Sequence, residues 1–206
     1  MSCMLMRLCG GVLLLFERKE SMTTSQQRVL EYFAVEFDRF VLPDLGTLAA
    51  IRPGPDGLCG CAVPQAMVIF SIFDLLGYLT NPDPNASKRR TMENYRPFFA
   101  SPLGLLPPEY AAETDRVVRL FRHGLIHQFF PKASSIAKAS SQRPLIFPDG
   151  QLQCLNVDRL TQDAIVAIAR LRTLIGEPAH AALAKQMSDR LDLLNQEDFQ
   201  ELNAIT

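Results

Sequence analysis

The densest gathering of reactive side chains is Arg122-His123-Gly124-Leu125-Ile126-His127, an arginine and two of the three histidines within six residues. Imidazole titrates near neutrality, which suits it to proton transfer or to metal binding. His123 and His127 are four apart and share one face of a helix, a usual spacing for two metal ligands. Cys59 and Cys61, with Gly60 between them, would supply two thiolates to complete a tetrahedral Cys2His2 zinc site. That reading ranks low, because Cys-x-Cys is tighter than the usual zinc spacing and no Glu accompanies the histidines as in a metalloprotease helix. Asp74 stands inside an otherwise apolar stretch. A carboxylate there wants a cation, which Arg122 or a histidine can supply, unless Asp74 simply faces water at the edge of its helix. Lys132, just past the cluster, adds phosphate attraction, and Lys88-Arg89-Arg90 with Arg96 forms a basic stretch able to track a polyanion. The plain structural reading also stands: Arg and His near a helix C-terminus meet the negative end of its dipole and bond its last carbonyls. A Gly-rich phosphate loop, a Walker lysine and a Gly-x-Ser-x-Gly elbow are all missing from the sequence.

These residues need elements to hold them. Pro107 to Lys132 reads as the main helix, opened by prolines and by Glu109 and Glu113, with Val117, Val118, Leu120, Phe121, Leu125 and Phe129 at helical spacing and Pro131 as its stop. On a regular helix, five residues set Arg122 and His127 about 140° apart. They share one cleft if the arginine wraps round, if the helix loosens near Gly124, or if a partner subunit closes the site. Ala62 to Leu79 reads as a central helix wrapped by its neighbours. Its length approaches that of a membrane span, but Asp74 at mid-bilayer would cost about 2.5–3.5 kcal/mol, so no membrane is expected.

Ser25 to Phe40 forms a further helix with Val29, Leu30, Phe33, Phe37, Phe40 and Val41 on one face, ended by Pro43, and residues 42–58 read as a loop. A turn over Asn81–Lys88 leads to a short helix over Arg89–Phe99 with Tyr95, Phe98 and Phe99 inward. After a flexible connection over residues 133–142, two short strands over about 144–155 make a hairpin around Pro148-Asp149-Gly150. Asp158 is the expected N-cap of a helix through Ile175, with Leu160, Ile165, Ile168, Leu171 and Ile175 on its inner face. Pro178 to Asn195 opens the last helix, and residues 197–202 add a final turn. The expected fold is mainly α, a single-domain bundle of five to six helices with a small β-hairpin insertion.

Charge and composition exclude several classes. A net charge of −1 gives no overall pull toward nucleic acid or anionic membrane, so any such binding must be local. Five scattered cysteines are an odd number, which fits a reducing cytoplasm rather than a disulfide framework. Residues 1–21 read as a disordered or mis-started leader, with Met22 as the functional start and 22–206 as the domain.

Arg122-His123-Gly124-Leu125-Ile126-His127 at the end of a long helix resembles the signature of the HEPN superfamily (higher-eukaryote and prokaryote nucleotide-binding helical domains). That motif is an Arg, usually followed by Asn, Asp or His, with a His four to six intervening residues on. Arg122 matches its arginine, His123 its polar position and His127 its histidine. The resemblance implies a homodimer that cleaves RNA without a metal or other cofactor in a cleft between subunits, in a defence or toxin–antitoxin setting with an antitoxin as partner. Arg122 would hold the scissile phosphate by a forked contact and stabilise the charge on the phosphorane. His127 would take or give the proton of the 2′-hydroxyl or the leaving oxygen, and His123 would orient a neighbour. The alternative is a non-catalytic helical module that dimerises or binds a nucleotide.

Overall fold

The computed structural model describes residues 22–55, 60–88, 90–128, 135–138, 143–146 and 154–205. The expected leader, Cys59, Arg89, Phe129, Pro131, Lys132 and the hairpin turn lie outside them. Six helical rods and one small sheet make up the rest, a mainly α fold with a small β insertion.

The first rod corrects the expectation that Pro43 ends a helix. It joins α1 (Thr24–Tyr32), a π-type segment (Phe33–Val41) and α2 (Leu42–Ala50) without a break. Thr23 and Gln26 cap its start reciprocally. Proline in a regular helix loses one hydrogen bond and clashes with the carbonyl four residues back. Here the turn before Pro43 is already widened, with the Leu42 N–H donating to the Phe37 carbonyl five residues back, and the ring is accommodated. The wide turn has a second effect. At roughly 4.4 residues per turn instead of 3.6, the residues buried from Phe33 onward become Phe33, Ala34, Phe37 and Leu45, and Phe40 is rotated out to 58% exposure, against expectation.

The third helix, α3 (Ala62–Thr80), is the hub. It is long and apolar enough to cross a membrane by length and composition. Ten of its 19 residues are nonetheless buried in the chain's own core. Phe73 meets Phe98 and Phe99 of α4 (Thr91–Phe99), both at 5.7 Å between ring centroids, and Tyr110 at 6.3 Å. Tyr95, Phe98 and Phe99 point inward as their spacing predicts. Gly77 allows α4 this close, since a Cβ there would sit 3.0 Å from the Asn94 carbonyl oxygen. The fourth rod joins α5 (Pro108–Arg116), a π-type turn (Val117–Arg122) and α6 (His123–Gln128).

The sheet has three strands in the order β1-β3-β2. β2 (Leu145–Ile146) pairs antiparallel with β3 (Cys154–Asn156), as the hairpin expectation requires. β1 (Ser135–Ala137) adds a parallel strand within the stretch read as a flexible connection. Lys138 follows it and donates to the carbonyls of Leu48 and Ile51 at 2.7 and 2.6 Å, closing the C-terminal end of α2.

Helix α7 (Val157–Ile175) is capped by Asn156, whose side chain accepts from the Arg159 N–H at 3.4 Å, so Asp158 is a first-turn residue and not the N-cap. Asp158 instead pairs with Arg52 at 3.1 Å. Leu160, Ile168, Leu171 and Ile175 are buried as expected, but Ile165, five residues and about 140° from Leu160, is 43% exposed. After a single 3-10 turn (Pro178–His180), α8 (Ala181–Ile205) runs unbroken through the positions expected to form a separate last turn. Its Gln186 donates to the Leu79 and Asn81 carbonyls at 3.0 and 2.9 Å and fastens the end of α3.

Candidate functional site

Two elements set the site: the middle of α3, which carries Asp74, and the junction of the π-type turn with α6, which carries Arg122 and His123. The helix does loosen at the motif, but before Gly124. The His123 N–H donates to the Val118 carbonyl, five residues back, and regular α-helix resumes from His123. Arg122 and His127 therefore keep the wide angular separation of a regular helix. His123 and His127 stand four apart on α6, but the side chain of His127 lies outside the description.

The arginine reaches back to α3. Arg122 Nε and Nη2 both donate to Asp74 Oδ2, at 3.1 and 3.0 Å, and the two side chains are 16% and 26% exposed. An acidic residue in an apolar helix needs a cation, and this one has it. Burial raises the Asp74 carboxyl above the usual carboxylate range, opposed by the Arg122 charge and hydrogen bond and then by the Tyr95 hydroxyl. Tyr95 is fully buried and donates to the Phe70 carbonyl at 2.8 Å. Its phenol is pushed well above its ordinary value, first by burial and then by the Asp74 charge. Arg122 is thus held at both ends, by its own helix and by a carboxylate fixed on the core helix, while one side of the pair stays in contact with water.

Other candidates are not assembled in this way. In the basic stretch, Arg90 pairs with Glu93 at 3.1 Å and Arg96 with Asp115 at 3.1 Å, both pairs at the surface, while Arg89 lies outside the described residues. Of the zinc alternative, Cys59 and the His127 side chain lie outside the described residues, and Cys61 precedes α3 in a left-handed conformation at φ 56°. Among the described residues no three His, Cys, Asp or Glu side chains gather as a metal site would require.

A second acidic centre was not anticipated. Asp163 on α7 is 4% exposed, accepts from the Tyr110 hydroxyl at 2.9 Å and pairs with Arg159 at 2.9 Å. Burial raises this carboxyl too, opposed by Tyr110 and then Arg159. The signal was there to read: Asp163 lies three residues after Leu160 and four before Ala167, on the inner stripe of its helix.

No family model matches the chain, and no curated protein or solved structure is significantly similar to it.

Proposed function

We propose that the chain is a metal-independent endoribonuclease of HEPN type, with Arg122 and His127 as its catalytic residues and His123 and Asp74 in support. The observation that carries this reading is the clamp on Arg122. A guanidinium anchored by Nε and Nη2 on one carboxylate oxygen, yet open to water on one side, is pre-oriented for a phosphate. In this reading the cation stabilises negative charge as the 2′-oxygen attacks phosphorus, and His127 handles the proton of the attacking or leaving oxygen.

A second reading draws on the same contact. An arginine that spends one edge of its fork on Asp74 also pins α6 to α3, as a non-catalytic dimerisation or nucleotide-binding module would need. Cleavage of mixed RNA by the purified protein in EDTA separates the two. We expect cleavage that falls at least about 100-fold in both Arg122→Ala and His127→Ala, with each variant still folded by circular dichroism. An inactive parent, or activity that survives both substitutions, refutes the nuclease.

A further inference from the structure

We infer that the groove between the first rod and α3 binds a small organic cation, a primary ammonium carried on an apolar tail. The groove has a volume of about 360 Å³, within the range of small-molecule sites. Tyr32, Phe37 and Val41 line it from the rod, and Met67, Val68 and Leu75 from α3. The rod presents this wall because its turns are wide. At roughly 4.4 residues per turn, Tyr32, Glu36, Phe37 and Val41 fall on one stripe. The rings of Tyr32 and Phe37 meet edge to face on it, 6.3 Å apart between centroids. At about 30 Å³ for each non-hydrogen atom, the slot holds a molecule of about ten such atoms. That is the scale of a small ligand, whereas a stable protein partner covers roughly 800 Å² on each side.

Charge decides the class of ligand. The polar side chains that line the groove carry oxygen alone: the Glu36 carboxylate and the hydroxyls of Tyr32 and Ser71. Ser71 already donates to the Met67 carbonyl at 3.0 Å, which leaves its oxygen to accept. Among the described residues Glu36 makes no ion pair, whereas its neighbour Asp38 takes Arg172 at 2.7 Å. The wide turn is the reason. On a regular helix Arg39 would lie about 60° round the axis from Glu36 and would be its natural partner. At about 4.4 residues per turn the two are about 115° apart. The Tyr32 phenol is raised above its ordinary value, first by burial and then by the Glu36 charge, so hydroxyl and carboxylate belong to one end of the groove. An apolar occupant covering that carboxylate would strip its water and return nothing, so the occupant must bring a cation. An ammonium has three N–H donors and no acceptor, which suits a lining of oxygen acceptors. The aromatic faces of Tyr32 and Phe37 favour a cation as well.

The test is an NMR titration of the full chain labelled at its methionine methyl groups, with Met67→Leu to identify the Met67 signal. The probes are n-octylammonium, 1-octanol and octanoate, which share a tail and differ in the head. We expect saturable shifts at Met67 with a Kd below about 1 mM for the ammonium, and binding at least about 10-fold weaker for the other two. Glu36→Gln should weaken the ammonium about 10-fold and leave octanol unchanged. Ser71→Arg, at an exposed position, should place a guanidinium in the groove and abolish ammonium binding. A Met67 signal unmoved up to about 10 mM octylammonium overturns the inference. So do equal affinities for the three heads, or a Glu36→Gln variant that binds as the parent does. A lysine-bearing leucine peptide that binds about 10-fold more tightly than octylammonium would make the groove a protein-docking surface, and would overturn it too. RNA cleavage is read at no step, so the groove and the nuclease stand or fall separately.

Discussion

Two aspartates in this chain have nearly the same company and opposite situations. Asp74 and Asp163 each pair with an arginine and lie beside a buried tyrosine, and burial raises both carboxyl groups above their ordinary range. At Asp163 the protein engages both oxygens: Tyr110 donates to Oδ2 and Arg159 to Oδ1, each at 2.9 Å, with the side chain 4% exposed. At Asp74 both arginine nitrogens converge on Oδ2, and the carboxylate remains 26% exposed. A buried carboxylate with both oxygens engaged tightens a core, because an acceptor left unmatched there would cost free energy. An open one leaves a charged group within reach of something outside the chain. Access of water, more than the choice of residues, separates a structural pair from a candidate site.

The strongest way to break this comparison is to remove each acid. Asp163→Ala strands the Tyr110 hydroxyl and a half-buried guanidinium, and we expect it to lower stability by about 3–5 kcal/mol in chemical denaturation. Asp74→Ala leaves Arg122 without its carboxylate but strands no tyrosine hydroxyl, because Tyr95 donates to the Phe70 carbonyl, and we expect a smaller loss of about 1–2 kcal/mol. Equal losses, or a larger one at Asp74, would mean that both pairs are structural.

Activity sharpens the same contrast. Asp74→Asn keeps an acceptor for Arg122 but weakens its hold, so kcat for RNA cleavage should fall about 10-fold with KM little changed. Asp163→Asn, remote from the motif, should leave both constants within a factor of about two. A variant at Asp163 that matched the loss at Asp74 would show that the two centres act as one.

How much of this could be read beforehand differs between the two regions for a physical reason. The demand of Asp74 for a cation was legible because one carboxylate interrupts a stretch of apolar residues, and Arg122 answered it. Asp163 sits among Thr161, Gln162 and Arg159, so its neighbours in sequence disguise a core position that only the helical stripe reveals. Local signals also misled where register shifted. Pro43 reads as a stop because a regular helix rejects it, but a widened turn does not, and the same turn exposes Phe40. The parallel pairing of Ser135–Ala137 with Cys154–Asn156 bridges residues far apart in the chain, and short-range pattern carries no trace of it. One member of the basic stretch is likewise answered from a distance, because Asp115, which pairs with Arg96, comes from another helix.

The smallest effect concerns pH, and its sign follows from burial. A carboxyl raised in the folded state above its unfolded value binds protons more tightly when folded. The stability it contributes is full below the ordinary carboxylate range and is lost as pH rises through the raised folded value. Asp163→Asn cannot ionise, so it escapes that loss while keeping an acceptor for Tyr110. Measured by denaturation between about pH 3 and pH 7, the stability of Asp163→Asn relative to the parent should therefore improve as pH rises, by about 1 kcal/mol for each unit that the folded carboxyl stands above the unfolded one. Asp74→Asn should show a trend of the same sign, because burial is the largest influence on its carboxyl as well. A slope of the opposite sign at Asp163 would mean that Arg159 and Tyr110 together outweigh burial, and that the closed network is held together by its charge rather than in spite of it.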